Sequence, residues 1–213
     1  MDNFLTDKAK EMVEEELVRN LKDLFEKESL SGLKKVFIHV NLATKGFKEI
    51  WKQWWEGEVP PRMEVDIIPV FENEQKLLIP AIEVKYFKSG ERKFCEGLQQ
   101  SLSFGLFGFD SLVLWHIFSE EMKNKEVEGL VEPTRELIEG LRLPVVYFAT
   151  KLIGKEMFEF FAPVKLYSSK PEGAHYFLTW LSNCCNEVRN PLLEKEEVEK
   201  RKKLLKVLLK IPL

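Results

Sequence analysis

The sequence predicts an α/β fold. An amphipathic run at helical spacing comes near its start, two apolar runs separated by a short polar break follow, and a nearly uninterrupted apolar segment comes after a second amphipathic stretch. The first of these, residues 6–28, reads as a helix that Thr6 can cap, with Val13, Leu17, Leu21, Leu24 and Phe25 on one stripe. At 100° per residue Glu14 falls inside that stripe and Glu15 outside it. Glu14 is therefore either a site residue or a glutamate snorkelling at the stripe's edge.

Strand one is expected from Lys35 to Leu42, where Val36, Ile38 and Val40 alternate with Phe37 and His39. Residues 45–56 then read as an inserted helix with Phe47, Ile50, Trp51, Trp54 and Trp55 on one face. The tryptophans could stack on bases, or fill a core or dimer interface.

The two apolar runs carry the chemistry. Residues 64–71 and 77–85 read as a hairpin turning around Asn73-Glu74-Gln75-Lys76. Antiparallel pairing puts Phe71 opposite Leu78, Asp66 opposite Glu83 and Glu64 opposite Lys85. Opposed residues lie roughly 5 Å apart at Cβ and alternate residues share a face, so Asp66, Glu83 and Lys85 should converge on one side of the sheet. Buried carboxylates are costly and adjacent ones repel, and a divalent cation relieves both problems. An all-oxygen donor set suits Mg²⁺ or Mn²⁺. Lys85 could position or help deprotonate an attacking water and offset charge on a transferring phosphoryl group.

Val65-Asp66, then Glu83-Val84-Lys85 after sixteen intervening residues, resembles the PD-(D/E)XK phosphodiesterase superfamily, the fold of restriction endonucleases, junction resolvases and RecB-like exonucleases. The proline that commonly precedes the Asp is absent. The resemblance covers roughly residues 8–118 and implies an αβββαβ core with a mixed central sheet flanked by helices. It also implies roles: Asp66, Glu83 and the Val84 carbonyl as metal ligands, Glu14 as a further ligand from the first helix, and Lys85 as the catalytic lysine. RecB-like relatives place a glutamine on the helix after the catalytic strand. Residues 92–109 read as that helix, with Phe94, Leu98, Leu102 and Leu106 inward and Gln99 at the border of the inward face. Gln100 lies nearly opposite that face, and the tyrosine four residues on in those relatives is replaced here by Ser103 after Gln99, or by Phe104 after Gln100. Lys88, Arg92 and Lys93, leaving the catalytic strand, are candidate phosphate contacts, or a solvated basic turn.

Residues 111–118 read as a buried strand in which His116 is a hydrogen-bonded core residue. His39, His116 and His175 show no metal-ligand spacing. Beyond them the sequence predicts a short helix at 132–140, a hairpin of 144–153 with 157–167 turning at Gly154-Lys155, and a loop at 168–173. Two helices follow at 174–189 and 191–210, the second opened by Asn190-Pro191. Its apolar end is expected to pack on the domain or a second subunit, with a membrane surface as the alternative.

At 213 residues one domain is expected, its core at 8–118 and an extension at 119–213. No apolar run approaches ~18 residues and no signal peptide opens the chain, so the expectation is a soluble, cytoplasmic protein without a membrane partner. Three cysteines are too few for a disulfide framework, and thirty Glu and twenty-five Lys against four Gln suggest a thermophilic source. A net charge of −3 argues against a coat of nucleic acid over the whole surface, but not against a local basic channel. The expected activity is Mg²⁺- or Mn²⁺-dependent hydrolysis of DNA phosphodiesters by a homodimer, leaning towards junctions or flaps. A catalytically silent nucleic-acid-binding or scaffold protein on the same fold is the alternative.

Overall fold

The computed structural model describes residues 3–28, 30–43, 51–52, 63–73, 76–91, 93–163 and 170–212, with the side chains of the first helix from Glu14 onward. Helix α1 spans Asn3–Lys27. It starts upstream of the expected cap, so Thr6 lies inside it. Leu17, Leu21, Leu24 and Phe25 are buried as the stripe requires, together with Val18. Of the inserted helix only Trp51 and Lys52 fall among the described residues. Trp51 is fully buried, edge-on to Phe107, and its indole N–H donates to the Leu42 carbonyl (3.0 Å). It is a core residue.

Eight strands form one mixed sheet among the described residues. They are β1 (Leu33–Asn41), β2 (Glu64–Asn73), β3 (Lys76–Leu78), β4 (Pro80–Phe87), β5 (Ser111–Phe118), β6 (Val145–Ile153), β7 (Met157–Ala162) and β8 (Glu172–Gly173). The order is β1-β2-β4-β5-β6-β7-β8, with β3 on β2. Strands β4, β5 and β6 run parallel, and the other pairs are antiparallel. The second apolar run is therefore broken into β3 and β4. Pro80 has no N–H to give the ladder, and Asp110 clamps the break by accepting from the Ile79 N–H (2.9 Å) and donating its own N–H to the Ile79 carbonyl (2.9 Å).

The hairpin register is the expected one. Phe71 pairs with Leu78 and Ile67 with Ile82, so one step further along Asp66 lies across from Glu83. β5 is buried along its whole length, and the β6–β7 turn falls at Gly154, whose φ of 61° favours glycine.

Helices cover both faces. On one, α1 and α4 (Ala174–Glu187) pack with Ile67, Ile82, Val84 and Trp115. On the other, α2 (Leu98–Ser103), α3 (Asn124–Gly140) and α5 (Glu196–Leu209) pack with Ile68, Ala81 and Leu114.

Three further helices differ from expectation. The predicted helix at 92–109 is only α2, followed by a 3₁₀ turn at Phe104–Phe107. Cys95 (φ 58°) and Gly97 (φ 83°) are left-handed, which delays the helix start and rotates its face. Leu98, Ser101, Phe104 and Phe107 point inward, while Phe94 and Leu106 are 55% and 40% exposed. Helix α3 begins eight residues before the expected 132. Pro133 sits inside it and costs one backbone hydrogen bond, but the stripe of Val127, Leu130, Val131, Thr134 and Ile138 packs on both sides of that position. The final helix is also split. Asn190 caps a 3₁₀ turn at Pro191–Glu194, accepting from Leu192 N–H (3.0 Å), and extended Lys195 separates that turn from α5. Asn190 is pinned by donating to the Gly105 and Phe109 carbonyls, and Val198, Leu205 and Leu209 bury α5 against the domain.

Candidate active site

Strands β2 and β4 bring Asp66, Glu83 and Lys85 together. Asp66 Oδ2 accepts from the Val84 N–H (2.8 Å), which fixes the aspartate against the neighbouring strand. Glu83 is fully buried, and its Oε2 lacks a hydrogen-bond partner. Its close ionic contact is Lys85 Nζ, 2.8 Å from Oε1. Glu14, arriving from α1, lies 3.0 Å from the same ammonium and accepts from the Tyr86 N–H (3.3 Å). The glutamate picked out on the first helix therefore reaches β4.

Burial dominates the electrostatics. It lifts Asp66 to about 6, against the lowering effect of the Val84 N–H. Burial and then the Asp66 charge lift Glu83 to about 8. Burial also works against the Lys85 ammonium, but the Glu83 and Glu14 carboxylates outweigh it and hold its pKa above the usual lysine value. Lys85 is thus a cation at neutral pH, a donor rather than a ready base.

Gly97 sets how closely the next segment can cover this pair. A Cβ there would lie 3.0 Å from Glu83 Cγ, 3.0 Å from Leu114 Cδ1 and 3.1 Å from Lys85 Cγ. The backbone just before Gly97 is held from below. His116 Nε2–H donates to the Glu96 carbonyl (2.9 Å), Tyr147 O–H donates to His116 Nδ1 (3.0 Å), and Cys95 N–H donates to Thr134 Oγ1 (3.2 Å). Burial pushes His116 down to about 4, so it is neutral and keeps this tautomer. It is a core residue, as its sequence context implied.

Gln99 is exposed and lines a cleft of about 520 Å³ with Met63, Glu64, Gly97 and Gln100. The neighbouring Gln100, which the periodicity passed over, makes the contact to the site strand, donating to the Glu64 carbonyl (3.3 Å). Lys88 and Lys93 are exposed, Lys93 lying 3.8 Å from Glu96, and Arg92 is outside the described residues.

Sequence reasoning missed a further cluster. His39 sits between Ile38, paired with Ile67, and Val40, paired with Val65, which places it across from Asp66. Its Nδ1 is 3.1 Å from Glu64 Oε1, and ligand atoms of His39, Glu64 and Asp66 all lie within 4.8 Å of one another. Spacing along the chain carries no sign of this, because β1–β2 pairing creates it. The usable signal was the shared face of Glu64 and Asp66, two residues apart on one strand. Compared with known proteins, the chain matches no family model, and no curated protein or solved structure matches it significantly.

Proposed function

We propose that this protein is a divalent-metal-dependent phosphodiesterase that hydrolyses DNA, with a restriction endonuclease-like arrangement of its site. The observation that carries the reading is the pair of half-buried Asp66 and fully buried Glu83, neighbours across two strands, with Lys85 on the same face at 2.8 Å from Glu83. The donors fit a hard cation: they are carboxylate oxygens, and Oε2 of Glu83 has no hydrogen-bond partner. Asp66, Glu83 and the Val84 carbonyl would hold Mg²⁺ or Mn²⁺, with Glu14 beside them. When bound, such an ion supplies Lewis acidity towards a phosphate oxygen and acidifies its water.

The protein's own groups supply the rest. Lys85, held cationic, donates to a phosphate oxygen and offsets the charge that develops there. Glu14 restrains the ammonium from the other side. Gln99 and Gln100 line the approach, and Lys88 and Lys93 offer backbone phosphates a cationic edge. Two sites in a homodimer would suit a branched substrate such as a junction or flap.

A second reading, a catalytically silent scaffold or nucleic-acid-binding protein, is favoured by one observation. Lys85 bridges Glu83 and Glu14 at 2.8 and 3.0 Å, which neutralises buried charge without an ion. Labelled duplex, single-stranded, flap and four-way-junction DNA, incubated with Mg²⁺, Mn²⁺ or EDTA, separates the two. Cleavage abolished by EDTA is expected. Cleavage unchanged in EDTA contradicts the two-carboxylate mechanism, and binding without cleavage of any substrate favours the scaffold.

A further inference from the structure

We propose that His39, Glu64 and Asp66 form a second divalent-cation site, one that takes a nitrogen-accepting ion such as Mn²⁺ or Zn²⁺ in preference to Mg²⁺. Ligand atoms from all three residues fall within 4.8 Å of one another, close enough for one ion to span them. The set contains an imidazole, and imidazole ligation favours later first-row ions, whereas Mg²⁺ selects oxygen.

Two further observations point to a ligand. His39 Nε2 is buried without a hydrogen-bond partner, although Nδ1 lies against Glu64. The sheet register also continues the row: His39 on β1 lies across from Asp66 on β2, which lies across from Glu83 on β4. Glu83 is fully buried, and its Oε2 likewise lacks a hydrogen-bond partner. Three neighbouring strands thus line up unsatisfied ligand atoms on either side of one shared aspartate.

Access and support are both present. Glu64 lines the cleft of about 520 Å³, giving a route from solvent, and Gln100 holds the Glu64 carbonyl at 3.3 Å. His39 lies 25 residues before Glu64 in sequence, so the β1–β2 ladder assembles the site only on folding.

Binding at this site stands on its own ligand atoms. Its consequence for catalysis, faster cleavage with Mn²⁺ than with Mg²⁺, rests on the nuclease reading. The test is pulsed electron paramagnetic resonance of the Mn²⁺-loaded full chain, which reads ¹⁴N coupling from a bound imidazole whether or not DNA is cut. Wild type should show the coupling, and His39→Gln should abolish it. His175→Gln and Glu83→Gln should keep it, and His116 is an unsuitable source because both its nitrogens are engaged. Glu64→Gln should weaken Mn²⁺ affinity by about tenfold or more while the coupling survives at saturating ion, which guards against a His39 variant that fails to fold. No ¹⁴N coupling in wild type, or the same coupling in His39→Gln, overturns the site. Cleavage without coupling leaves the nuclease reading intact, and coupling without cleavage leaves this site intact.

Discussion

Glu83 and Lys85 lie two residues apart on one strand and answer to opposite demands. The carboxylate gives up hydration on burial, and the ammonium beside it repays part of that cost. On the metal-ligand assignment, Asp66→Ala and Glu83→Ala should each abolish calorimetric Mn²⁺ binding at the Asp66–Glu83 site, while Lys85→Ala retains it. Full affinity in Glu83→Ala contradicts the assignment. His116 supports a pH prediction. Its folded pKa of about 4 lies below the ordinary 6.5, so the unfolded chain binds more protons between those values. The neutral histidine's contribution is complete above pH 6.5 and is lost as pH falls through about 4, amounting to about 3 kcal/mol. Denaturant melts from pH 7 to 4 should show a shallower decline for His116→Gln than for wild type, and equal declines contradict this. At this scale Asp66 and Glu83 could be read from the sequence because a tight hairpin fixes register by counting. His39 could not, since its partners depend on how a strand 25 residues upstream is laid beside β2.

At the scale of elements, the long apolar segments were legible. The eight residues of β5, the stripe of α1 and the turn at Gly154 fall where periodicity puts them. The helix after β4 was not, because its phase is set by backbone conformation at Cys95 and Gly97 rather than by pattern. That same conformation brings the chain onto Glu83 and Lys85. Gly97→Ala is therefore expected to cost about 1–2 kcal/mol for the left-handed φ alone, and to displace both side chains. Thermal melts paired with single-turnover cleavage check this, with cleavage falling about tenfold or more at temperatures where the variant is folded. A variant that cleaves like wild type would show that the close approach plays no part in positioning. Asp110 illustrates a different blind spot. It falls between the expected helix and the expected strand with nothing in the sequence to mark it, yet it is fully buried, clamps the β3–β4 break and holds both Arg189 (2.6 Å) and Lys202 (2.7 Å). Partners 79 and 92 residues away leave no local trace.

For the whole molecule, two helical layers sandwich one mixed sheet, and the candidate site lies where α1 and the start of α2 approach β4 from opposite layers. Among the described residues no helix is long and apolar enough to cross a membrane. The dimer expectation changes its footing. Trp51 is spent on the core, Trp54 and Trp55 lie outside the described residues, and α5 leaves Val207 54% exposed. If α5 supplies the contact, light scattering should give a dimer for wild type and a monomer for Val207→Glu. A wild-type monomer at high micromolar concentration removes the two-fold argument for branched DNA.

As proposed, Lys85, set against Glu83 on β4, stabilises the transferring phosphoryl group. Single-turnover cleavage of labelled DNA with saturating Mg²⁺, comparing wild type with Lys85→Ala, tests it most directly. The prediction is cleavage by wild type and a loss of about 10²-fold or more in the variant, with DNA and metal binding unchanged. Equal rates for the two proteins would contradict it.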